Sequence, residues 1–224
     1  ELADRFNSDP NLTRAQVSDL SNTERHDMAT ALLSKVQVAG VKCDAALDVE
    51  LLRRLDDQGP HEDVFLRELA ATPVMVTLIV LVHRVKGARL PSKRGVLYLE
   101  AVRELNRRFL VRAPMLVAAG WSEDLLTNCL AHVAWEGFCT TEKNLDSEQS
   151  TRRVELWVRS WLRDVRGLDV VRAERESMEL VRLLRTGSGV LTEPENPLQR
   201  FVHYTIAEFL AAWHLVAQDR GDIH

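Results

Sequence analysis

Residues 73–85 read PVMVTLIVLVHRV and contain the one intensely apolar run of the chain. Its side chains are apolar on nearly every face of a helix, so we expect a helix buried on most sides at the centre of its domain. Pro73 fits the first helical turn, where the missing proline N–H costs nothing. The apolar run is far shorter than the roughly 20 residues that a membrane span needs.

Shorter segments are predicted before this helix. Residues 12–20 alternate weakly and predict one short strand that runs into a loop. Ser21 and Glu24 form a capping-box pattern, which predicts a helix start. A second helix is expected after Asp44, and a third is expected to end at Thr72, because the residue before a proline disfavours the helical conformation.

The helices predicted after the apolar segment are amphipathic. Residues 90–92 open a helix with an arginine-rich outer face, and Pro114 ends it. Residues 140–150 are polar and predict a loop. Three further helices are predicted from their apolar stripes, at residues 121–138, 154–165 and 173–185.

The pattern changes near the end of the chain. Residues 190–192 and 200–204 predict the two strands of a hairpin, joined by a turn at 193–197. Thr205 and Glu208 form a second capping-box pattern, which predicts that Thr205 caps a last helix. Two helices, a β-hairpin and a closing helix follow the element order of a winged-helix unit. We therefore expect a mainly α protein, in which a helical bundle domain precedes a winged-helix domain with a small β-hairpin.

Composition excludes several classes of function. The chain has 10 Gly in 224 residues and contains neither GxxxxGK[ST] nor GxGxxG, so it lacks the usual phosphate loops. Its 3 Cys have no CxxC spacing and predict neither a metal site nor a disulfide framework. No nucleophile elbow and no signal peptide is visible, so we expect a cytoplasmic protein without catalytic residues of its own.

Charge gives no general signal for nucleic acid, because the net charge is −4. It is unevenly spread, however, since residues 84–112 carry 9 basic and 2 acidic side chains. Such a block is typical of a solvated helix face, and it could also meet an acidic partner.

Two residues stand out as candidates for a site. His203 ends an apolar strand just before the predicted start of the last helix, where free N–H groups and the positive end of the helix dipole can receive an anion. Its imidazole could donate to the same anion, or it could simply lie at the edge of the core and bond to a backbone carbonyl. Pro73 could pack its ring on a flat base, or it could be an ordinary proline of a first helical turn.

Three segments, in order, resemble NACHT-type signal-transduction NTPases of the STAND class. LRELAATPVMVTLIVLVHR (66–84) resembles the start of their helical domain, and RLPSKRGVLYLEAVRELN (89–106) resembles the helix that follows it. SGVLTEPENPLQRFVHYTIAEFLAAWHL (188–215) resembles their winged-helix ending, whose signature is FVH-x-T-x-x-E-F/Y-L-A-A.

The resemblance implies a domain organisation. Residues 1–20 would be the end of a nucleotide-binding domain, 21–115 a helical domain, 116–218 a winged-helix domain and 219–224 a tail. The phosphate loop, the magnesium-binding acidic strand and the sensor arginine of the family would lie before Glu1. The longer protein would then be an NTPase, and this chain would be inactive alone and bind no metal.

The resemblance also implies a nucleotide site. In the family the helical-domain proline packs against adenine, which corresponds to Pro73, and the winged-helix histidine contacts the β-phosphate of ADP, which corresponds to His203. ATP or ADP would be shared with the nucleotide-binding domain of the same protein, and activation would lead to self-association, for example in bacterial antiviral defence. A membrane partner is not expected, and nucleic acid is not favoured.

Two other functions remain open from the sequence. A winged-helix regulator would bind DNA through a basic recognition helix at residues 173–185, although glutamates offset its arginines. An all-helical adaptor would bind neither nucleotide nor nucleic acid.

Overall fold

The apolar helix lies at the centre of the molecule, as its sequence predicts. It runs over Pro73–Lys86, and its side chains from Met75 to Arg84 are buried except for that of Thr77. The helices Asn22–Lys35 and Arg94–Arg112 pack against it. The computed structural model describes residues 19–36, 44–56, 64–86, 90–140, 149–192 and 198–219.

Ten helices and three short strands are found in these ranges. The first six helices are α1 (Asn22–Lys35), α2 (Ala45–Leu55), α3 (Val64–Leu69), α4 (Pro73–Lys86), α5 (Arg94–Arg112) and α6 (Pro114–Ala118). The remaining elements are α7 (Glu123–Thr140), β1 (Gln149–Ser150), α8 (Thr151–Asp164), α9 (Val170–Gly187), β2 (Leu191–Thr192), β3 (Leu198–Phe201) and α10 (Tyr204–Asp219). The chain is therefore mainly helical with a small sheet.

Side-chain caps fix the starts of the early helices where the sequence places them. The Ser21 hydroxyl accepts the Glu24 N–H and the Glu24 carboxylate accepts the Ser21 N–H, which completes the predicted capping box of α1. Asp44 caps α2 through the N–H of Ala46. Predictions made for residues 1–18, 141–148, 193–197 and 220–224 lie outside the described ranges.

Several predicted boundaries differ from the structure. Helix α3 ends at Leu69, three residues before the predicted stop at Thr72, and α5 begins at Arg94 rather than at 90–92. Pro114 does end α5, and it also opens the short helix α6, which suits its fixed φ and missing N–H. Helix ends depend on local caps and fray easily, so differences of this size are expected.

The sheet has one strand more than the sequence predicts. Strands β2 and β3 form the predicted hairpin, with Leu191 opposite Phe201, although β3 begins at Leu198. Gln149–Ser150, inside the predicted loop, forms β1 and pairs antiparallel with β3, so that β3 lies in the middle. A strand of two polar residues carries no hydrophobic period, and only its pairing reveals it.

One continuous core crosses the boundary predicted at residues 115 and 116. A single cluster of buried side chains extends from Ala29 in α1 to Ala211 in α10. Helix α7 packs against α5 and α10, and the Asn106 amide donates to the Thr127 hydroxyl at 3.1 Å between α5 and α7. The helical bundle and the part that contains the sheet are therefore packed as neighbours along a shared apolar interface.

No helix among the described residues is both long enough and apolar enough to cross a bilayer.

Two histidines lie side by side between α7 and α10, the buried His214 and the half-buried His132. The ring centroids of His132 and His214 are 5.3 Å apart, and the Trp135 ring stacks on His214. Burial lowers the pKa of both imidazoles, and the nearby His132 lowers that of His214 further. Asp164 and Glu136 oppose these effects only in part.

This pair predicts that stability falls in mild acid. Because the folded-state pKa values lie below the ordinary value of about 6.5, the unfolded chain takes up protons first as pH falls. The contribution of the two neutral imidazoles to stability is complete above about pH 6.5, and it is lost as pH falls through their lowered folded-state pKa values. In urea unfolding between about pH 8 and pH 5.5, His214→Phe should weaken the pH dependence of the unfolding free energy. Replacing the exposed His26 by Ala should leave the dependence unchanged, and an unchanged slope in His214→Phe would contradict the prediction.

The arginine-rich face of α5 contains a buried carboxylate. The Glu104 side chain is 3% exposed and accepts hydrogen bonds from Arg107 at 2.6 and 2.7 Å and from Arg108 at 2.7 Å. Burial alone would raise the pKa of Glu104, but the two guanidinium groups outweigh it and hold this pKa below its usual range. The Glu104 carboxylate therefore holds the Arg107 and Arg108 side chains in place.

We expect Glu104→Gln to lower the unfolding free energy by about 1–2 kcal/mol at neutral pH, since the partly exposed arginines place it at the lower end for charged hydrogen bonds. The difference should shrink as pH falls below the usual glutamate pKa, because protonation removes the same charge from the wild type. Glu179→Gln is the matched control, since Glu179 pairs with Arg182 at the same spacing on an exposed surface. Equal effects of the two substitutions in urea unfolding would refute the role of burial.

Candidate functional site

The structure brings the two candidate residues to one junction. Helix α4 begins at Pro73 and α10 begins at Tyr204, and the Thr72 hydroxyl oxygen lies 3.4 Å from Nε2 of His203. The side chains of Pro73 and His203 are both half-buried there. The starts of two helices, 131 residues apart in the chain, therefore meet at this imidazole.

His203 itself caps α10. Its carbonyl accepts the N–H groups of Ile206 at 3.1 Å and Ala207 at 3.3 Å, and its Nδ1 accepts the Thr205 N–H at 3.3 Å. The prediction that Thr205 caps this helix, with Glu208 completing a capping box, is wrong, because the helix starts at Tyr204. The imidazole nitrogen takes the place that a serine or threonine oxygen has in an ordinary cap.

Further side chains surround the imidazole. The Thr205 hydroxyl oxygen lies 2.8 Å from Nδ1 of His203 and 3.9 Å from the Met75 sulfur in the first turn of α4. The Tyr204 ring stacks on the imidazole with centroids 4.7 Å apart and is half exposed. The imidazole is thus held by residues from both helix starts.

Tyr98 connects the junction to α5. Burial raises the pKa of its phenol, while a hydrogen bond with Thr205 and the nearby Arg94 lower this pKa in part. The Tyr98 ring also packs against Phe209 of α10 at 5.6 Å. Three helices therefore contribute side chains to the junction.

Two helix starts in one place give the junction an anion-binding character. The first backbone hydrogen bond of α4 runs from the Val76 N–H to the Thr72 carbonyl. The backbone N–H groups before Val76 therefore have no carbonyl acceptor within the helix. Both helices exceed a dozen residues, and their dipoles place partial positive charge at these ends. Together with an imidazole N–H, this arrangement can receive a phosphate or carboxylate.

A nucleic-acid interface on α9 has less support. Its arginines lie among glutamates, and Arg182 pairs with Glu179 at 2.7 Å while Arg172 pairs with Glu176 at 2.8 Å. Exposed apolar side chains, Val171 and Met178, lie on the same helix. Paired arginines on a partly apolar surface attract phosphates weakly.

The basic block at 84–112 also forms ion pairs within the protein. Six of its nine cations pair with carboxylates on other helices or on α5 itself: Arg84 with Asp48, Lys86 with Glu100, Arg94 with Glu68, Arg103 with Asp124, and Arg107 and Arg108 with Glu104. This pairing fits the prediction of a solvated helix face better than that of a surface for an acidic partner.

Within the described ranges, no group of three or more histidine, cysteine or acidic side chains is arranged to hold a metal ion. Cys129 is fully buried, and this burial raises the pKa of its thiol, which makes it unreactive. Cys139 is exposed. Neither cysteine belongs to the junction.

Comparisons with family models, with curated proteins and with solved structures find no match to the chain. The junction is therefore the feature of the described residues that indicates a function. The sequence pointed to Pro73 and His203, but it did not single out Thr72 or Tyr98. Thr72 is predicted as a helix stop and Tyr98 as a core residue, and only the packing of α4, α5 and α10 shows that Thr72 contacts the imidazole and that Tyr98 packs against Phe209 of α10.

The contact between Thr72 and His203 should be measurable in stability. We expect a double-mutant cycle with Thr72→Val and His203→Phe to give a coupling free energy of about 0.5–1.5 kcal/mol, the contribution of one hydrogen bond. Urea unfolding of the wild type, both single variants and the double variant supplies the four values. Any loss of helix capping in a single variant cancels in the cycle, and strictly additive effects would show that the contact contributes nothing.

Proposed function

We propose that this chain is the helical and winged-helix part of a NACHT-type nucleotide-dependent switch. It would close over ADP or ATP held by a nucleotide-binding domain of the same protein, and it would control self-association and signalling. The cytoplasm and a role in bacterial antiviral defence are the setting that fits this proposal.

The observation that carries the proposal is the contact of His203 with Thr72, the residue before Pro73. The resemblance assigns these two residues to opposite ends of one nucleotide, the base and the terminal phosphate of ADP. Such an assignment requires both residues to lie within the length of one nucleotide, although they are 130 positions apart in the sequence. The 3.4 Å contact between Thr72 and His203 supports the assignment, since Thr72 is the neighbour of Pro73.

The order of elements in the second half supports the winged-helix part. After α7 the chain forms one strand, two helices and a two-stranded hairpin, and the first strand pairs with the last. The extra strand β1 extends the predicted hairpin into a three-stranded sheet, and α10 then closes the unit. This succession is the one expected for a winged helix that is followed by a further helix.

The residues at the junction fit the phosphate end of a nucleotide. The imidazole N–H and the first-turn N–H groups of α4 are donors, and phosphate oxygens are strong acceptors. The half-buried Pro73 ring offers a rigid apolar face to a base. This chain supplies binding groups only, and the residues for hydrolysis would belong to the nucleotide-binding domain.

The His203 side chain has the position that a switch requires. It belongs to the start of α10, yet it contacts the start of α4 across the interface between the two proposed modules. A phosphate bound there would hold both modules, so a change at the phosphate would alter the equilibrium between closed and open arrangements.

The test is ADP retention by the protein that contains this chain together with its nucleotide-binding domain. His203→Ala should raise the ADP dissociation rate about 10- to 100-fold, the loss expected for one hydrogen bond to a charged group. His26→Ala is the matched control, since His26 is an exposed histidine on α1. Dissociation of labelled ADP, followed by filter binding, gives the rates.

Unchanged ADP retention and unchanged signalling in His203→Ala would overturn the phosphate role. Salt-sensitive binding of duplex DNA by the chain at physiological ionic strength would favour the DNA-binding alternative instead. If neither nucleotide nor DNA changed the stability of the protein, the adaptor alternative would stand.

A further inference from the structure

We propose that one buried water molecule binds between α7, α8 and the sheet, where the side-chain oxygen of Gln199 holds it. This hydration site is independent of the nucleotide switch proposed above. It accounts for a polar side chain in the core and for a glycine inside a helix.

A small cavity lies where these elements meet. Its lining includes Ala134 and Gly137 of α7, Trp157 of α8, and Gln149 and Gln199 of the paired strands β1 and β3. The space that the centre of a water molecule can reach there is about 20 Å³. One water needs roughly 10–15 Å³ of such space, so the cavity has the size for a single water molecule.

Gln199 brings a polar group to this cavity. Its side chain is fully buried, and its Nε2 donates to the Thr151 hydroxyl at 3.2 Å. Its Oε1 is also buried, and no described residue donates a hydrogen bond to this oxygen. Because a buried carbonyl oxygen without a donor is costly, buried waters typically bind to such groups.

Gln149 provides a second polar side chain at the cavity. It lies directly opposite Gln199 in the register of β1 and β3, and opposed residues of paired strands share one face of a sheet. The Gln149 oxygen accepts from Arg153 at 3.3 Å. A glutamine side chain can form up to four hydrogen bonds, so this one bond leaves it able to bind a water. A water between the two glutamines would join β1 to the middle strand.

Gly137 leaves space for this water. A glycine within a helix is less stable than an alanine, so its presence in α7 calls for a reason. Among the described residues, the atoms nearest to an added Cβ belong to the Trp157 ring at 3.9 Å, an ordinary contact distance. The surrounding protein would therefore accept alanine, but the methyl group would enter the cavity and compete with the water.

The rest of the lining is mostly apolar, and it includes Val133, Val154 and Leu191. A cavity with apolar walls alone stays dry. The Gln199 oxygen should therefore decide whether water is bound.

The first test is a water–protein NOE measurement on the whole chain, labelled with ¹³C at the alanine methyl groups. Ala134 is fully buried, so bulk solvent does not reach its methyl group. We expect an NOE between water and the Ala134 methyl protons, with the sign of a long-lived contact. Its absence from the wild type would overturn the proposal.

Gln199→Met removes the oxygen but keeps a side chain of similar length, so the NOE should be lost. Thr151→Val is the matched control, since it removes the partner of Gln199 Nε2 but leaves Oε1 in place, and the NOE should remain. It also removes a hydroxyl proton that could exchange with water and imitate the signal. An NOE that persists in Gln199→Met, or that disappears in Thr151→Val, would refute the role of Oε1, and a thermal melt checks that each variant is folded.

Gly137→Ala tests the space itself in urea unfolding. In the Gln199→Met background, which has no oxygen to leave without a donor, it should lower the unfolding equilibrium constant about two- to fivefold, the usual gain of alanine over glycine in a helix. In the wild-type background the lost hydrogen bond of the water should cancel most of this gain.

Gly95→Ala is the matched control for this comparison. An added Cβ at Gly95 in α5 would meet the Phe209 ring at 3.8 Å, again an ordinary contact, and Gly95 does not line the cavity. Its effect should be the same in both backgrounds. Equal gains from Gly137→Ala in both backgrounds would show that the methyl group displaces no water and would overturn the proposal.

Discussion

The burial of α4 is the constraint on which the rest of the structure depends. A helix that is apolar on all faces must be enclosed by other elements, and here α1 and α5 pack against it. The buried Arg84 near its end forms an ion pair with Asp48 of α2 at 2.8 Å. A helix held in this way has little freedom to shift. Its start is therefore a fixed point, and the elements that reach it, among them α10, meet it in a defined geometry.

Sequence reasoning predicts the features whose cause is local. The capping box at Ser21 and Glu24 forms, since both partners lie within one helical turn. Helix α8 has its inward stripe, including Trp157 and Trp161, because the 3.6-residue period is visible in the sequence itself. The hairpin of β2 and β3 follows from two short runs around a turn, and its residues need no distant partner to be recognised.

The features that escape the sequence depend on distant partners. Gln149 and Ser150 become a strand only because β3 offers them a free edge, and nothing in these two polar residues predicts it. The cap of α10 was assigned to Thr205 because threonine is a common capping residue, whereas the His203 ring accepts the N–H instead. For the candidate site, the sequence predicts Pro73 and His203. Only the packing shows that Thr72 contacts His203 and that Tyr98 packs against Phe209 of α10.

The junction of α4 and α10 has an electrostatic asymmetry. The positive ends of two helix dipoles lie close together there, which is unfavourable unless negative charge or lone pairs face them. The lone pair on Nδ1 of His203 faces the start of α10, so that end is compensated within the protein. The start of α4 is different. Nε2 of His203 contacts Thr72 there, and this nitrogen is a donor when Nδ1 accepts. Pro73, the first residue of the helix, contributes no N–H. An anion at this place would compensate the start of α4 and would accept from the imidazole at the start of α10. Its binding and the close packing of the two helix starts would then be thermodynamically linked, so that loss of the anion would weaken the contact between the two halves of the chain.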